Sequence, residues 1–277
     1  MNRGKIPLEV AVFSPANALG AQALGAYRVE LNARGSYDVG GLTPSVRDVA
    51  ALQKPAGSDK KLDIPIRIMI RPRPAPGPTA PEPQDFIYSD AEFDAMWKSI
   101  SAFKKLGTLN PVRGDAFVFG ILERVGPGAT PLERDLAVDV RRCTMLVEHA
   151  KPVRCVFHRA FDVIARGDDF QEGLHELVRC GFTGVLTSGG EGSFDRNIDR
   201  LVRMCKHLPE IQIIVGGDVR GRNIKSLVDR IKHIARLNIW MHSSCLPRVG
   251  LPDVDPEEIN PEEFISLHST LRLDCCD

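Results

Sequence analysis

The chain of 277 residues lacks several things at once, and each absence removes a class of function. It carries no excess charge: Lys plus Arg and Asp plus Glu are 36 each, so the electrostatic footprint of a nucleic-acid binder is missing. No polybasic run suggests a membrane surface, and no stretch reaches the ~18 apolar residues of a transmembrane helix. The opening segment MNRGKIPLEVAVF has no long apolar core and runs into a strand-like stretch, so no secretory signal is expected. The seven cysteines (Cys143, Cys155, Cys180, Cys205, Cys245, Cys275 and Cys276) include no CxxC pair, which leaves zinc knuckles and thioredoxin-like redox motifs unsupported. Odd in number and scattered, they read as reduced thiols of a cytoplasmic protein. HxH and HExxH spacings are missing too.

What the chain does have is alternation. Eight short apolar runs, at 8–13, 27–32, 65–71, 116–121, 153–158, 183–188, 211–216 and 237–242, read as doubly buried parallel strands. Helical patterns lie at 89–106, 132–149, 168–180 and 195–207, the first with Ser89 as N-cap and Asp90 and Glu92 in its first turn. Gly107 and Gly181 sit where helix ends need a left-handed residue. This alternation predicts an α/β fold, a (β/α)8 TIM barrel, and 277 residues match its usual ~250. We expect one domain over 1–277, with a core at about 8–245 and a C-terminal extension, 246–277, whose segment 261–272 forms an outer helix. Residues 72–83 hold six prolines in twelve positions and read as an extended loop inserted after strand three. Residues 53–61 look like a second surface insertion, and 246–256 is Pro-rich.

The polar residues of these runs gather at their carboxyl ends, where barrels of this class place their chemistry. CVFHRAFD (155–162) puts His158 at a strand end, Arg159 next and Asp162 in the loop beyond: an imidazole that a carboxylate can orient as general acid/base, beside a cation for an anionic oxygen. Glu30, ending strand two, is the third catalytic candidate. Arg71 and Arg73, in IMIRPR, suit a carboxylate or phosphate. Ser188 and Gly189 follow strand six, and Gly216 and Gly217 follow strand seven; Gly-rich loops late in a barrel expose backbone N–H groups to an anion. Strand eight ends in His242, Ser243, Ser244 and Cys245. His158, His242 and Glu30 converge at one rim, and three N/O ligands suit zinc or copper(II), while copper(I) prefers sulfur and finds only Cys245, with Met69 a layer below. The Pro-rich loop also fits a docking peptide, which makes a non-catalytic scaffold a further reading.

Strand parity adds an expectation about the lumen. If Glu30, Arg71, His158 and His242 face the barrel axis, then Glu9, Ala11, Arg28, Arg67, Met69 and Arg154 share that side. Charges buried there must be paired, with Glu9 and Glu30 against Arg28, Arg67 and Arg71. Arginines at the bottom rim would reach water instead.

In order along the chain, VELN (29–32), GGLTPS (40–45), IRPR (70–73), DFIYSD (85–90), FHRAFD (157–162), LTSGG (186–190) and MHSS (241–244) resemble the CutC copper-homeostasis family over about residues 8–245. The resemblance implies a cytoplasmic TIM barrel linked to copper tolerance, copper as a possible bound ion, and a homo-oligomer, dimer or tetramer. It also implies that Glu30, Arg71, His158, Arg159, Asp162, Ser188 and His242 form the polar cluster of the mouth, with His242 and Cys245 the remaining metal candidates. A small anionic ligand, phosphate or carboxylate, is the alternative occupant. Members usually carry Cys where this chain has Asn32, and many carry Cys and Asp where it has Ala11 and Phe13.

Overall fold

The computed structural model describes residues 5–53, 61–77, 85–125, 136–165, 170–207, 210–232, 234, 238–247 and 255–272. Eight parallel strands close into a barrel: β1 (Leu8–Val12), β2 (Arg28–Leu31), β3 (Ile66–Met69), β4 (Ala116–Phe119), β7 (Arg154–Phe157), β8 (Gly184–Thr187), β9 (Gln212–Val215) and β10 (Ile239–Ser243). Each pairs with its neighbour in sequence around the ring, and β1 closes it against β10 through the register Glu9↔His242. A two-stranded antiparallel ribbon, β5 (Leu122–Arg124) with β6 (Leu136–Val138), stands outside the ring. The helical pattern read over 132–149 is therefore corrected. Residues 132–135 lie outside the described residues, 136–138 form β6, and the helix runs over Val140–Ala150. Leu136 and Val138 alternate with the less buried Ala137, a period of two that the neighbouring helical pattern had masked.

The helices are α1 (Pro15–Leu24), α2 (Val46–Ala51), α3 (Asp90–Lys105), α4 (Val140–Ala150), α5 (Phe161–Ile164), α6 (Phe170–Cys180), α7 (Ile198–His207), α8 (Lys225–Ile231) and α9 (Pro261–Thr270). Local chemistry fixes their ends. Ser14 Oγ accepts from the Asn17 N–H at 3.1 Å, Pro15 takes a first-turn position that needs no donor, and Gly25 closes α1 at φ 100°. Ser89 and Glu92 form a reciprocal capping box on α3. On α3, Met96, Ile100 and Phe103 recur at four- and three-residue spacing and bury one face against the barrel. Phe103 is 1% exposed, and truncating such a side chain to Ala costs about 3–5 kcal/mol. Gly107 and Gly181 have φ of 66° and 92°, as their places at helix ends predict. Helix α9 runs along the outside of the barrel: its first turn meets the carboxyl-terminal rim, where the Gly221 N–H donates to Glu263 at 2.8 Å, and it ends at the amino-terminal rim, where the Ile6 N–H donates to Leu271 O at 3.0 Å. Of the Pro-rich insertion, residues 72–77 carry no regular element, and 78–83 lie outside the described residues, as do 54–60 and 248–254.

Two layers of apolar side chains follow from the strand period. Leu8, Val10, Val12, Val29, Leu31, Ile66 and Ile68 face the helices in the main core. Met69, Ala116, Val118, Val156, Leu186 and Ile214 form a separate cluster inside the barrel, with Trp240 packed on it. The lumen is divided. Strands β4, β7, β8 and β9 line it with aliphatic residues, whereas β10, β1, β2 and β3 supply His242, Glu9, Arg28, Glu30 and Arg67, all on the side that parity assigns to the axis.

Candidate functional site

The charged arc is built around Glu9, which is fully buried. Its carboxylate meets the Arg28 Nε–H, lies 3.2 Å from Arg67 Nε, and accepts from His242 Nδ1 at 2.7 Å. Gln212 Oε1 ties both guanidiniums together, accepting from Arg28 Nη1 at 3.1 Å and Arg67 Nη2 at 2.8 Å. Arg28 also stacks over the Trp240 ring at 3.7 Å. Burial works to raise the Glu9 pKa, but Arg28 and Arg67 outweigh it and hold the carboxyl well below the usual range. Arg154, the other arginine expected on this side, is exposed at the amino-terminal rim.

Glu30 departs from the expected pairing. Among the described residues it has no ion pair within 4 Å; its Oε1 accepts only a long contact, 3.4 Å, from Asn32 Nδ2. Arg71, expected opposite it, is held instead by Asp85 at 2.8 Å. Burial pushes the Glu30 pKa up, beyond what the nearby His242 charge counters. Burial disfavours the charged form of His242 too, but facing Glu30 and Glu9 leaves its pKa raised.

Above this floor opens a cavity of about 590 Å³ at the carboxyl ends of the strands. Glu30, Arg71, His158, Arg159, Asp162, Gly217, His242 and Ser243 line it together, so residues from five separate strand ends meet at one rim. Five other candidates do not line it. Arg73 turns outward to Glu92 (2.6 Å) and the Ile87 carbonyl (2.7 Å). Ser188, Gly189 and Gly216 stand behind the wall, and Cys245 is buried in the apolar core, where burial pushes its thiol up to about 12.

Two motifs set the geometry of the wall. Asp162, opening α5, accepts from the Thr187 and Ser188 hydroxyls, the Ser188 N–H at 2.8 Å and Arg159 Nε at 2.7 Å. With both oxygens occupied, it fastens Arg159 to the loop after β8. His158 is fixed differently. The Ala160 N–H donates to its Nδ1 at 3.2 Å, which puts the ring proton on Nε2. Phe86 packs on the ring at 4.8 Å between centroids, and Gly120 makes room, since a Cβ there would lie 2.8 Å from His158 Nδ1. Burial, then the charges of Arg71 and Arg159, pull the His158 pKa down to about 3. The imidazole is neutral at ordinary pH.

The lining residues that the sequence reading passed over include Tyr37, Asp85, Phe86, Asp218 and Arg220. Asp85 and Phe86 stand in DFIYSD, and Asp218 and Arg220 follow the Gly216–Gly217 pair, but loop side chains carry no periodicity that would point them at the cavity. Backbone strain marks the same rim: Phe86, Asp218 and Cys245 are the non-glycine residues with positive φ among the described residues, at 68°, 62° and 50°.

The donor set does not suit copper(I). Among the described residues the one cluster of potential metal ligands is Glu9, Glu30 and His242, with donor atoms within 4.8 Å of one another. It offers no sulfur, and Glu9 and His242 already bind each other beside two guanidiniums. The only sulfur on the cavity wall among those residues is the thioether of Met69.

A closed eight-stranded parallel barrel with its polar cluster at the carboxyl-terminal mouth defines a TIM-barrel protein with a mouth pocket. The profile of the CutC family matches residues 6–237, and the chain belongs to that family. A CutC family protein of Xanthomonas axonopodis pv. citri is 34% identical over 79% of this chain and 77% of its own. The copper homeostasis protein cutC homolog of Caenorhabditis elegans is 32% identical over 96% of both. The crystal structure of a CutC from Streptococcus agalactiae superposes with a TM-score of 0.65 at 24% identity, over 86% of this chain and 98% of that one, and shares the fold. No described helix is long and apolar enough to cross a membrane.

Proposed function

We propose that this protein serves copper homeostasis, the role named for its nematode relative, by binding a small anionic molecule in the barrel mouth rather than by carrying copper(I) itself. One observation carries the reading: the wall presents Arg71, Arg159 and Arg220 around one cavity, and no described thiol reaches it. Guanidiniums fixed by carboxylates and carbonyls are pre-organised for carboxylate or phosphate oxygens.

Within this reading His158 donates a hydrogen bond, Asp162 positions Arg159, and Glu30 is the lining carboxyl with a near-free oxygen, suited to exchanging a proton with a bound molecule. The cytoplasmic setting and the dimeric or tetrameric assembly belong to the same proposal, as does a single domain over 1–277. Two measurements test its core. A thermal-shift series with small carboxylates and phosphates should find ligands that stabilise the wild type, with the response lost in Arg71→Met. Anaerobic copper(I) titration against a competing chelator should find no stoichiometric site. Tight copper(I) binding abolished by His242→Ala or Cys245→Ser would overturn the proposal.

A further inference from the structure

Two hydrogen-bond donors on the cavity wall are buried without a partner among the described residues: Arg71 Nε–H and His158 Nε2–H. Both residues are deeply buried, Arg71 at 4% and His158 at 3% exposure. Neither side chain is loose. The terminal nitrogens of Arg71 each have a partner, Nη1 in the carbonyls of Val39 (2.6 Å) and Gly41 (3.2 Å) and Nη2 in Asp85 (2.8 Å), so Nε is the one nitrogen of the group without one. His158 has spent Nδ1 on the Ala160 N–H, leaving only Nε2. Phe86 packs against both, 4.8 Å from the imidazole and 5.3 Å from the guanidinium carbon. A buried donor left unmade costs about 1–3 kcal/mol, so two of them held rigidly on one wall are a site for an acceptor oxygen.

We infer that Arg71 Nε–H and His158 Nε2–H form a two-donor subsite for one oxygen of a small monoanionic carboxylate. This deepens the anion-pocket reading and rests on it. The charge balance of the wall selects the ligand. Arg71 is matched by Asp85 at 2.8 Å, Arg159 by Asp162 at 2.7 Å, and Arg220 faces Asp218 at 3.7 Å. His242 stands against Glu9 and Glu30 below. With each arginine already facing an acid, little uncompensated positive charge remains for a phosphate dianion, while one carboxylate is well served by two neutralised but directional donors. The depressed pKa of His158 is consistent with an imidazole that donates without becoming cationic.

The test uses the full chain with pyruvate and inorganic phosphate as probes near neutral pH. Ring-nitrogen NMR of ¹⁵N-histidine-labelled protein, with His158 assigned by its loss in His158→Gln, should show the protonated Nε2 shifting on saturation with pyruvate. Pyruvate should bind about tenfold or more tightly than phosphate, and His158→Phe, which keeps ring volume but has no N–H, should weaken it by about tenfold. His158→Gln, which retains a donor, should keep most of the affinity. If His158→Phe does not fold, the wild-type spectrum decides. Pyruvate binding with the His158 signal unmoved overturns the subsite and leaves the pocket standing, as does phosphate binding as tightly as pyruvate. Failure of every carboxylate and phosphate to bind overturns both.

Discussion

Replacing Glu9 with Gln tests the charged arc of the lumen directly. The substitution preserves shape and removes one negative charge that Arg28, Arg67 and His242 share, each within hydrogen-bond or ion-pair reach. None of the three partners can turn to bulk water, because Arg28 and Arg67 side chains are only 5% and 6% exposed and His242 13%. Breaking one partner out of a buried ion pair typically costs about 3–5 kcal/mol. At about 2–4 °C per kcal/mol for a large domain, the thermal midpoint should fall by roughly 10 °C. The measurement belongs near neutral pH: a carboxyl whose folded pKa is depressed contributes its full stability above its ordinary value of 4.5 and loses it as pH falls toward the folded value. Adding Arg67→Met should return part of the loss, with a coupling of about 1 kcal/mol or more between the two sites. Glu148→Gln, at a surface pair with Lys151, is the control and should change little. A Glu9→Gln protein melting within a degree of wild type would show that the arc is not held by charge pairing.

His158 gives a pH signature of the opposite origin. Its folded pKa of about 3 lies below the ordinary 6.5, so the unfolded chain binds the proton first and stability is lost as pH falls through that window. Unfolding free energies of His158→Gln from urea titration should therefore fall less steeply than wild type between about pH 6 and pH 4, by up to ~1.4 kcal/mol per pH unit; parallel curves would contradict a buried neutral imidazole. Gly120→Ala should push the His158 ring aside, because the new Cβ would lie 2.8 Å from Nδ1 and 2.9 Å from Phe157 Cζ, costing about 1–3 kcal/mol and most of the ligand response. Unchanged binding would place the ring outside the site. Cys245, in the apolar core with its thiol near 12, should escape alkylation in the native protein, and rapid labelling of its peptide by iodoacetamide would place the thiol at the mouth after all.

The barrel itself was legible because period and polarity agreed. A run such as AFVF is buried at every position, which an apolar stretch of four residues can only achieve between a lumen and a helix layer. Parity placed Glu9, Arg28, Arg67 and His242 on the axis for the same reason. The β5–β6 ribbon escaped notice because three-residue strands carry too few residues to show a period of two beside an eleven-residue helix. Pairing was legible only in part. Glu9 and Arg28 are register partners on adjacent strands, so their meeting follows from topology. Arg71 chose Asp85, whose position depends on where a long insertion returns to the rim, and no strand pattern encodes that return. Arg220 and Tyr37 reach the cavity from loops for the same reason.

The split of the lumen into a charged arc and an aliphatic arc also makes the floor of the cavity directional. There a molecule with one polar end and one hydrocarbon end finds Glu30 and His242 on one side, and Met69 and Leu186 on the other. Reversing it would strip solvent from the polar end against hydrocarbon, so it enters in one orientation. Handedness of approach is thus built into the cylinder before any loop at the rim contributes a contact.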